Sequence, residues 1–138
     1  MAATKGKDCK VSNGANKILG MGTWSIPGVT SDRLEDTEFG DDWKTYLYGL
    51  KDGGQVSFAG YYDRADANGQ ETLRTANENQ TELTDLRFYV DDTSYFRPNS
   101  TGTPSSSIVI TDCPVNADKG ALVQVSFTGV VSGKMDFV

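Results

Sequence analysis

The feature that most restricts the fold is an alternation of apolar and polar residues towards the C-terminal end of the chain. Every second position is apolar or glycine over one stretch, at Val123, Val125, Phe127, Gly129 and Val131. A period of two residues places such a set on one face of a β-strand. Shorter stretches with strand composition, separated by turn residues, predict further strands over residues 18–26, 43–48, 55–62, 83–90, 94–97 and 108–111. The pattern therefore predicts a mainly β protein.

One segment departs from this period. Over residues 68–79, Leu73 and Ala76 form a narrow apolar stripe at helical spacing, and Glu71 would lie in the first turn, where a carboxylate favours the helix dipole. Asp66 or Asn68 could cap the helix. The expected fold is a β-sandwich or barrel of two packed antiparallel sheets with one flanking helix, in a single domain over residues 17–138.

The inward positions of the strands predict which residues form the core. The last strand should pack against two earlier ones, and the predicted core residues are Phe58, Leu86, Phe88, Val123, Val125 and Phe127.

Two segments lack periodicity. Residues 1–16 are polar and predict a flexible N-terminal arm. Residues 31–43 predict a long loop, and a loop of this length inside a compact domain usually has a function. The strands on either side of the Gly49–Gly54 turn are expected to pair with each other.

Charge and composition limit the chemistry. The chain has 13 basic and 19 acidic residues and a net charge of −6, so binding to nucleic acid through phosphate neutralisation is not expected. It contains no histidine, which removes the usual proton-transfer group near neutral pH. Metal-binding, nucleotide-binding and redox motifs are absent, and the Gly69 region does not fit a calcium loop because Arg64 and Thr75 would occupy ligand positions. No cofactor, metal or catalytic residue is therefore predicted.

The N-terminal segment shows no run of seven apolar residues, so neither a signal peptide nor a membrane span is expected. Synthesis in a reducing cytoplasm follows, with Cys9 and Cys113 as free thiols. A disulfide between them is the less favoured alternative.

The segment from Thr37 to Gly54 contains the run T-x-F-G, W-K and Y-x-x-G-L-K-D-G-G. With the closing segment from Asn116 to Lys134, this run resembles the major tail tube protein of long, non-contractile (siphovirus-type) bacteriophage tails. The resemblance implies a structural protein of the virion tail, made in the host bacterial cytoplasm. Its copies would form hexameric rings that stack into a tube for DNA ejection.

The partners that the resemblance implies are other copies of this chain, the tape measure protein and the tail terminator. DNA would pass through without specific binding, and no membrane would be involved. A channel for a polyanion should be neutral or acidic, because each basic residue facing it would add a phosphate contact. The acid-rich segment from Asp63 to Asp92 is one candidate for its wall.

In the family resembled, the terminal arm and the long loop reach towards the neighbouring ring. Here the arm is rich in lysine and the loop is acidic, so the two have opposite charge. The predicted interface residues are Lys5, Lys7, Lys10, Glu35, Asp36, Glu38, Phe39, Asp41, Asp42 and Trp43.

Three alternatives remain. A related secretion-tube or tail-terminator protein would share the fold but differ in whether polymers grow. A carbohydrate-binding module would present a planar row of aromatic residues, for which the candidates are Trp43, Tyr46, Tyr48, Tyr61, Tyr95 and Phe96. An enzyme using the carboxylates of residues 35–42 would act on sugar or phosphate substrates as a monomer.

Overall fold

The computed structural model describes residues 9–91, 93–98 and 106–137. In chain order its elements are β1 (Lys10–Asn13), β2 (Asn16–Lys17), β3 (Met21–Ser25), β4 (Thr30–Glu35), β5 (Tyr46–Asp52), β6 (Gln55–Tyr61), α1 (Gln70–Asn79), β7 (Glu82–Leu83), β8 (Leu86–Tyr89), β9 (Tyr95–Pro98), β10 (Ser107–Asp112), β11 (Val115–Asn116), β12 (Gln124–Ser132) and β13 (Met135–Phe137). The mainly β fold with one helix is the predicted class.

The strands form two packed sheets and a separate hairpin. The five-stranded sheet has the order β13-β9-β8-β1-β2, and the six-stranded sheet has the order β3-β6-β12-β10-β7, with β11 paired to β12. Strands β4 and β5 form a two-stranded sheet of their own. All the pairs are antiparallel.

The core lies between the two larger sheets, and aromatic rings join them. Phe127 of β12 is opposite Phe58 of β6 in the register, and their rings stack with centroids 5.2 Å apart. Phe88 of the other sheet meets Phe58 edge to face at 5.6 Å. Burial of such a side chain contributes about 1.5–3 kcal/mol. The alternation of β12 thus fixes one wall of the core.

Five of the six predicted core residues are buried: Phe58, Leu86, Phe88, Val125 and Phe127. The prediction for Val123 was wrong, since this residue is 37% exposed. It precedes β12, whose pairing with β6 ends at Gln124, and its carbonyl accepts a hydrogen bond from the Tyr62 amide at 2.8 Å. The alternation of apolar residues in the sequence therefore begins at Val123, one residue before β12 begins.

The helix α1 forms where it was predicted and rests on the sheet through Leu73 and Ala76, both buried. Its N-cap residue is Gly69, which has no side chain to cap the helix. The Asp66 carboxylate substitutes for a cap by accepting the Gln70 amide hydrogen at 3.1 Å.

The buried side chain of Gln70 connects the start of the helix to two other segments. Its Nε2 donates to the Leu19 carbonyl at 2.6 Å and to the Tyr61 carbonyl at 2.9 Å, while its Oε1 accepts from the Asp63 amide at 2.9 Å. A buried amide with all these partners holds the helix in one place, because leaving any of them unpaired costs free energy.

Two predicted boundaries were wrong. The flexible arm does not extend to residue 16, because β1 pairs with β8 and Val11 is buried. The loop predicted over residues 31–43 is shorter, since residues up to Glu35 form β4 and pair with β5. Both segments lack an alternating pattern, and their backbone hydrogen bonds come from a partner strand elsewhere in the chain.

The pairing predicted across the Gly49–Gly54 turn was also wrong. Strand β5 pairs with β4, whereas β6 pairs with β3 and β12. Gly54 adopts a left-handed φ of +76°, and its carbonyl accepts from the Val131 amide at 3.0 Å. The turn therefore directs β6 into the sandwich and away from β5.

Candidate assembly surfaces

The β4–β5 hairpin leaves its side chains uncovered. Every residue of β4 is exposed, and so is every residue of β5 after Tyr46. Leu34 and Leu47 lie directly opposite each other, yet they are 61% and 58% exposed. Other large apolar side chains exposed on the hairpin and its loop are Phe39, Trp43, Tyr48 and Leu50. An isolated two-stranded sheet is only marginally stable in water, so these side chains suit contact with another surface.

The tip of this hairpin is the acidic loop, defined here as residues 35–42. Its shape is held by its own hydrogen bonds: the Glu38 amide donates to Asp41 Oδ2 at 2.8 Å, and the Thr45 amide donates to Thr37 Oγ1 at 3.3 Å. One base, Lys44, lies 3.9 Å from Glu35. All the residues of the loop are exposed, so most of its negative charge is not neutralised within the described chain.

The predicted interface residues are divided between different places. Lys5 and Lys7 lie outside the described residues. Lys10 belongs to β1 rather than to an arm, and its ammonium lies 4.5 Å from the centre of the Tyr89 ring. The remaining residues lie in the acidic loop or, in the case of Trp43, directly after it: Glu35, Asp36, Glu38, Phe39, Asp41, Asp42 and Trp43.

A second charged surface, which the sequence did not reveal, covers the outward face of the five-stranded sheet. We call it the basic patch, formed by Lys10, Lys17, Arg87, Tyr89, Tyr95 and Arg97. The rings of Tyr89 and Tyr95 lie 4.8 Å apart. The Arg87 guanidinium lies 4.7 Å from the Tyr95 ring centre.

Asp85 lies at the margin of the basic patch. Its carboxylate is 2.9 Å from Arg87 Nε and 3.8 Å from Arg97 Nη1. The hydrogen bond from Arg87 to Asp85 raises the pKa of Arg87 above its ordinary value. These basic residues come from distant parts of the chain, so no local motif identifies them; of the three strands, only β8 shows a regular alternation with buried residues.

The outward face of the six-stranded sheet has a different character. Strands β3, β6 and β12 contain no charged residue. Most of their outward side chains are small, with Tyr61 and Val130 as the large ones. Two adjoining shallow depressions on this face share Thr23, Ala59 and Ser126. In a chain of which 23% of the residues are charged, this face is unusual.

The described part of the acid-rich segment, residues 63–91, contains the helix, β7 of the six-stranded sheet and β8 of the five-stranded sheet. Some of its carboxylates have internal partners. Asp66 is buried and accepts hydrogen bonds from the Leu19 and Gln70 amides, and Asp85 binds the two arginines of the basic patch.

The two cysteines are both free, as predicted. The Cys9 thiol donates to the Val90 carbonyl at 3.6 Å, and the Cys113 thiol donates to Asn77 Oδ1 at 3.3 Å. Burial raises the pKa of Cys113, which disfavours the reactive thiolate.

The aromatic residues considered for a carbohydrate-binding row do not lie together. Trp43, Tyr46 and Tyr48 belong to the hairpin and its loop, whereas Tyr61 ends β6 in another sheet. Tyr95 and Phe96 are adjacent in β9, and Phe96 packs against the core. Over the described parts of the chain, no group of three or more cysteine or acidic residues is arranged to hold a metal. No helix in those parts is long and apolar enough to cross a bilayer.

Comparison with known proteins gives the fold a context. No protein-family model matches the sequence, and no curated protein matches it. Among solved structures, a chain from the tail of an empty gene transfer agent particle with C6 symmetry is similar, with a TM-score of 0.75, 16% identity and 99% of both chains covered.

Two further solved structures are also similar to this chain. One is the sheath–tube complex of an extracellular contractile injection system in the extended state, with a TM-score of 0.69 and 11% identity over 99% of this chain and 91% of that one. The other is the tube-terminating cap of the anti-feeding prophage, with a TM-score of 0.68 and 8% identity over 100% and 92%. At these identities the likeness establishes a tail-tube-like fold.

Proposed function

We propose that this chain is the structural subunit of the tube of a long, non-contractile phage tail. Its copies form rings, the rings stack, and DNA leaves the particle through the channel. The observation that carries the proposal is the β4–β5 hairpin, whose apolar side chains are bare on a fold shared with proteins of tails and tubes. A second copy of the chain is the surface that covers them.

Ring closure uses the edges of the sheets. The six-stranded sheet ends in β3 on one side and β7 on the other, and the five-stranded sheet ends in β13 and β2. Edge strands present unpaired backbone groups that can pair with another chain. We propose six copies in each ring, a number consistent with the C6 symmetry of the gene transfer agent tail.

The channel wall is the outward face of the six-stranded sheet, which is uncharged over β3, β6 and β12 and carries the acids Asp112 and Glu82 on β10 and β7. A polyanion slides along a surface most freely when no basic residue adds a phosphate contact, and β3, β6 and β12 carry no charge of either sign. This face is a better candidate for the wall than the whole segment from Asp63 to Asp92, because Asp66 and Asp85 of that segment have partners within the chain. Glu82, which also belongs to that segment, lies on this face in β7.

The contacts between rings involve the hairpin tip and the N-terminal arm, which contains Lys5 and Lys7. The tape measure protein inside the tube and a terminator at its end complete the proposed set of partners. The site of action is the tail of the virion.

A second candidate function is a tube terminator or a secretion-tube component. The likeness to the tube-terminating cap of the anti-feeding prophage supports it. The two functions differ in one behaviour, because a tube subunit adds further rings whereas a terminator stops after one.

Negative-stain microscopy of the concentrated protein, with sedimentation velocity across a concentration series, tests the proposal. The expected result is hollow tubes of varying length above a critical concentration. Single rings that do not stack would favour the terminator. A protein that stays monomeric at millimolar concentration would overturn both.

A further inference from the structure

We propose that the acidic loop of one copy docks on the basic patch of a second copy. The proposal rests on self-assembly as the function and names the two surfaces that meet. It differs from a contact between the loop and a flexible arm, because the basic partner is a folded sheet face.

The first argument is charge. The loop carries Glu35, Asp36, Glu38, Asp41 and Asp42, with Lys44 as the neighbouring base. The basic patch carries four bases, and the acids at its margin are Asp85 and Asp136, the latter opposite Arg97 in the register. The chain as a whole has a net charge of −6, so a positive surface on it is distinctive and opposite charges favour this pairing.

The second argument is that the patch is incompletely satisfied within one copy. Among the described residues, Lys10 and Lys17 form no ion pair. Their ammonium groups therefore remain available to carboxylates of another copy, and complementary charges favour such a contact.

The third argument is the aromatic content of both surfaces. Phe39 and Trp43 are exposed at the hairpin tip, and the Tyr89 and Tyr95 rings form the floor of the patch. Lys10 lies over the Tyr89 ring without an ion pair among the described residues, whereas Arg87, over the Tyr95 ring, already binds Asp85. Aromatic residues and arginine are the side chains most enriched where binding energy concentrates.

The affinity of one such contact is modest. Exposed ion pairs contribute only about 0–1 kcal/mol each, and salt screens them beyond a Debye length of about 8 Å at physiological ionic strength. Repetition around a ring multiplies the effect, because later contacts form within an assembly that is already held together.

Charge reversal on each surface tests the pairing. The loop variant is Asp36→Lys with Glu38→Lys and Asp42→Lys, three side chains that form no hydrogen bond or ion pair among the described residues; it leaves the loop with three bases and two acids. The patch variant is Lys10→Glu with Lys17→Glu, which leaves Asp85 with both arginines. Each should raise the critical concentration for tube formation by about tenfold or more at low salt, as expected when several weak pairs become repulsive, and the defect should shrink as salt is added.

A matched control reverses two exposed bases outside both surfaces, Arg64→Glu with Lys119→Glu. It changes the net charge as much as the patch variant does, and it should leave the critical concentration within about twofold of the unaltered protein. Melting curves of all the variants at concentrations below assembly show whether the folded monomer is retained.

Mixing the two variants is the decisive measurement. The reversed loop of one is complementary to the reversed patch of the other, and the two remaining surfaces are also complementary. An equimolar mixture should therefore form tubes at a concentration at which neither variant does so alone. Tubes that contain both variants, detected with two fluorescent labels, would support the pairing.

Different failures point to different errors. If the unaltered protein forms no tubes, the proposed function fails and the docking fails with it. If it forms tubes but the mixture does not restore assembly, only the docking is wrong. Tube formation that ignores both reversals but is lost in Phe39→Ala would overturn the docking too and assign the contact to the aromatic residues of the tip.

Discussion

The sandwich buries its large apolar side chains, whereas the β4–β5 hairpin exposes them. In the sandwich, Phe58, Phe88 and Phe127 are almost completely buried and contact one another across the two sheets. In the hairpin, Leu34 and Leu47 face each other across the strand pair and remain mostly exposed. The sandwich is thus stabilised by its own packing, whereas the apolar side chains of the hairpin remain exposed within one copy.

This difference separates folding from assembly. A residue whose contacts lie inside the sandwich should affect the stability of the monomer, and one that is exposed on the hairpin should affect the polymer alone. The predictions below test that separation, in order of decreasing effect on monomer stability.

The largest effect is expected for Phe127→Ala. Removing the ring that stacks on Phe58 leaves a cavity between the sheets, and the free energy of unfolding should fall by about 3–5 kcal/mol. Urea denaturation of the monomer measures it. A midpoint equal to that of the unaltered protein would show that the core does not depend on this strand.

A smaller loss is expected for Gln70→Leu, which keeps the approximate volume but removes the amide that bridges Leu19 and Tyr61. The carbonyls left without a donor should lower the free energy of unfolding by about 1–3 kcal/mol. Gln124→Leu, at an exposed position of β12, is the matched control and should change stability little. Equal losses in the two variants would contradict a bridging role.

Asp91 gives a pH-dependent effect. Its carboxylate accepts hydrogen bonds from the Ser94 amide at 2.6 Å and the Thr93 amide at 2.8 Å, and these bonds lower its pKa below the ordinary value. A carboxyl with a lowered pKa in the folded state stabilises the protein above its unfolded-state pKa of about 3.9 and loses this contribution as pH falls through the folded-state value.

The variant Asp91→Ala should therefore be less stable than the unaltered protein at neutral pH, by a small amount because the site is exposed. The gap should narrow in acid, as the native carboxyl becomes protonated. Thermal melts of both proteins across the acid range measure it. A gap that stays constant with pH would mean that the turn depends on something other than the carboxylate.

The smallest effect on the monomer is expected for Leu34→Ser with Leu47→Ser. Both positions are exposed, so the free energy of unfolding should change by no more than about 0.5 kcal/mol. Tube formation should nevertheless be lost, because the surface for the second copy is gone. Leu86→Ser, in the buried core, is the counterpart and should destabilise the monomer strongly. Tubes that form normally from the double variant would show that assembly does not depend on these two exposed leucines.

The sequence predicted the core strands β6 and β12 of the sandwich better than the strands β1 and β4. The alternation in β6 and β12 identified Phe58, Val125 and Phe127 as core residues. Side chains two residues apart on a strand point to the same face of the sheet, so they meet the same environment. The helix over 68–79 was recognised from a change of period. The strands β1 and β4 were missed because their sequences, KVSN and TSDRLE, show no alternation.

The candidate surfaces were predicted unevenly for a related reason. The acidic loop is contiguous in sequence, so its composition revealed it. The basic patch gathers Lys10 and Lys17 from the start of the chain with Arg87 and Arg97 from the middle, and only the pairing of β1 with β8 and of β8 with β9 brings them together.

By itself, then, the sequence determined the class of fold, the position of the helix, most of the core and the sign of the charge on the loop. These properties depend on the order of residues within one segment. The two-residue period of a strand, or the 3.6-residue period of a helix, decides directly which of those residues share a face. The tertiary structure alone decided that β5 pairs with β4 and not with β6, that Lys10 belongs to a sheet, and that the outward face of one sheet is basic while strands β3, β6 and β12 of the other contain no charge. These depend on register between distant strands, which is set by the packing of the whole core and is not encoded in any single segment.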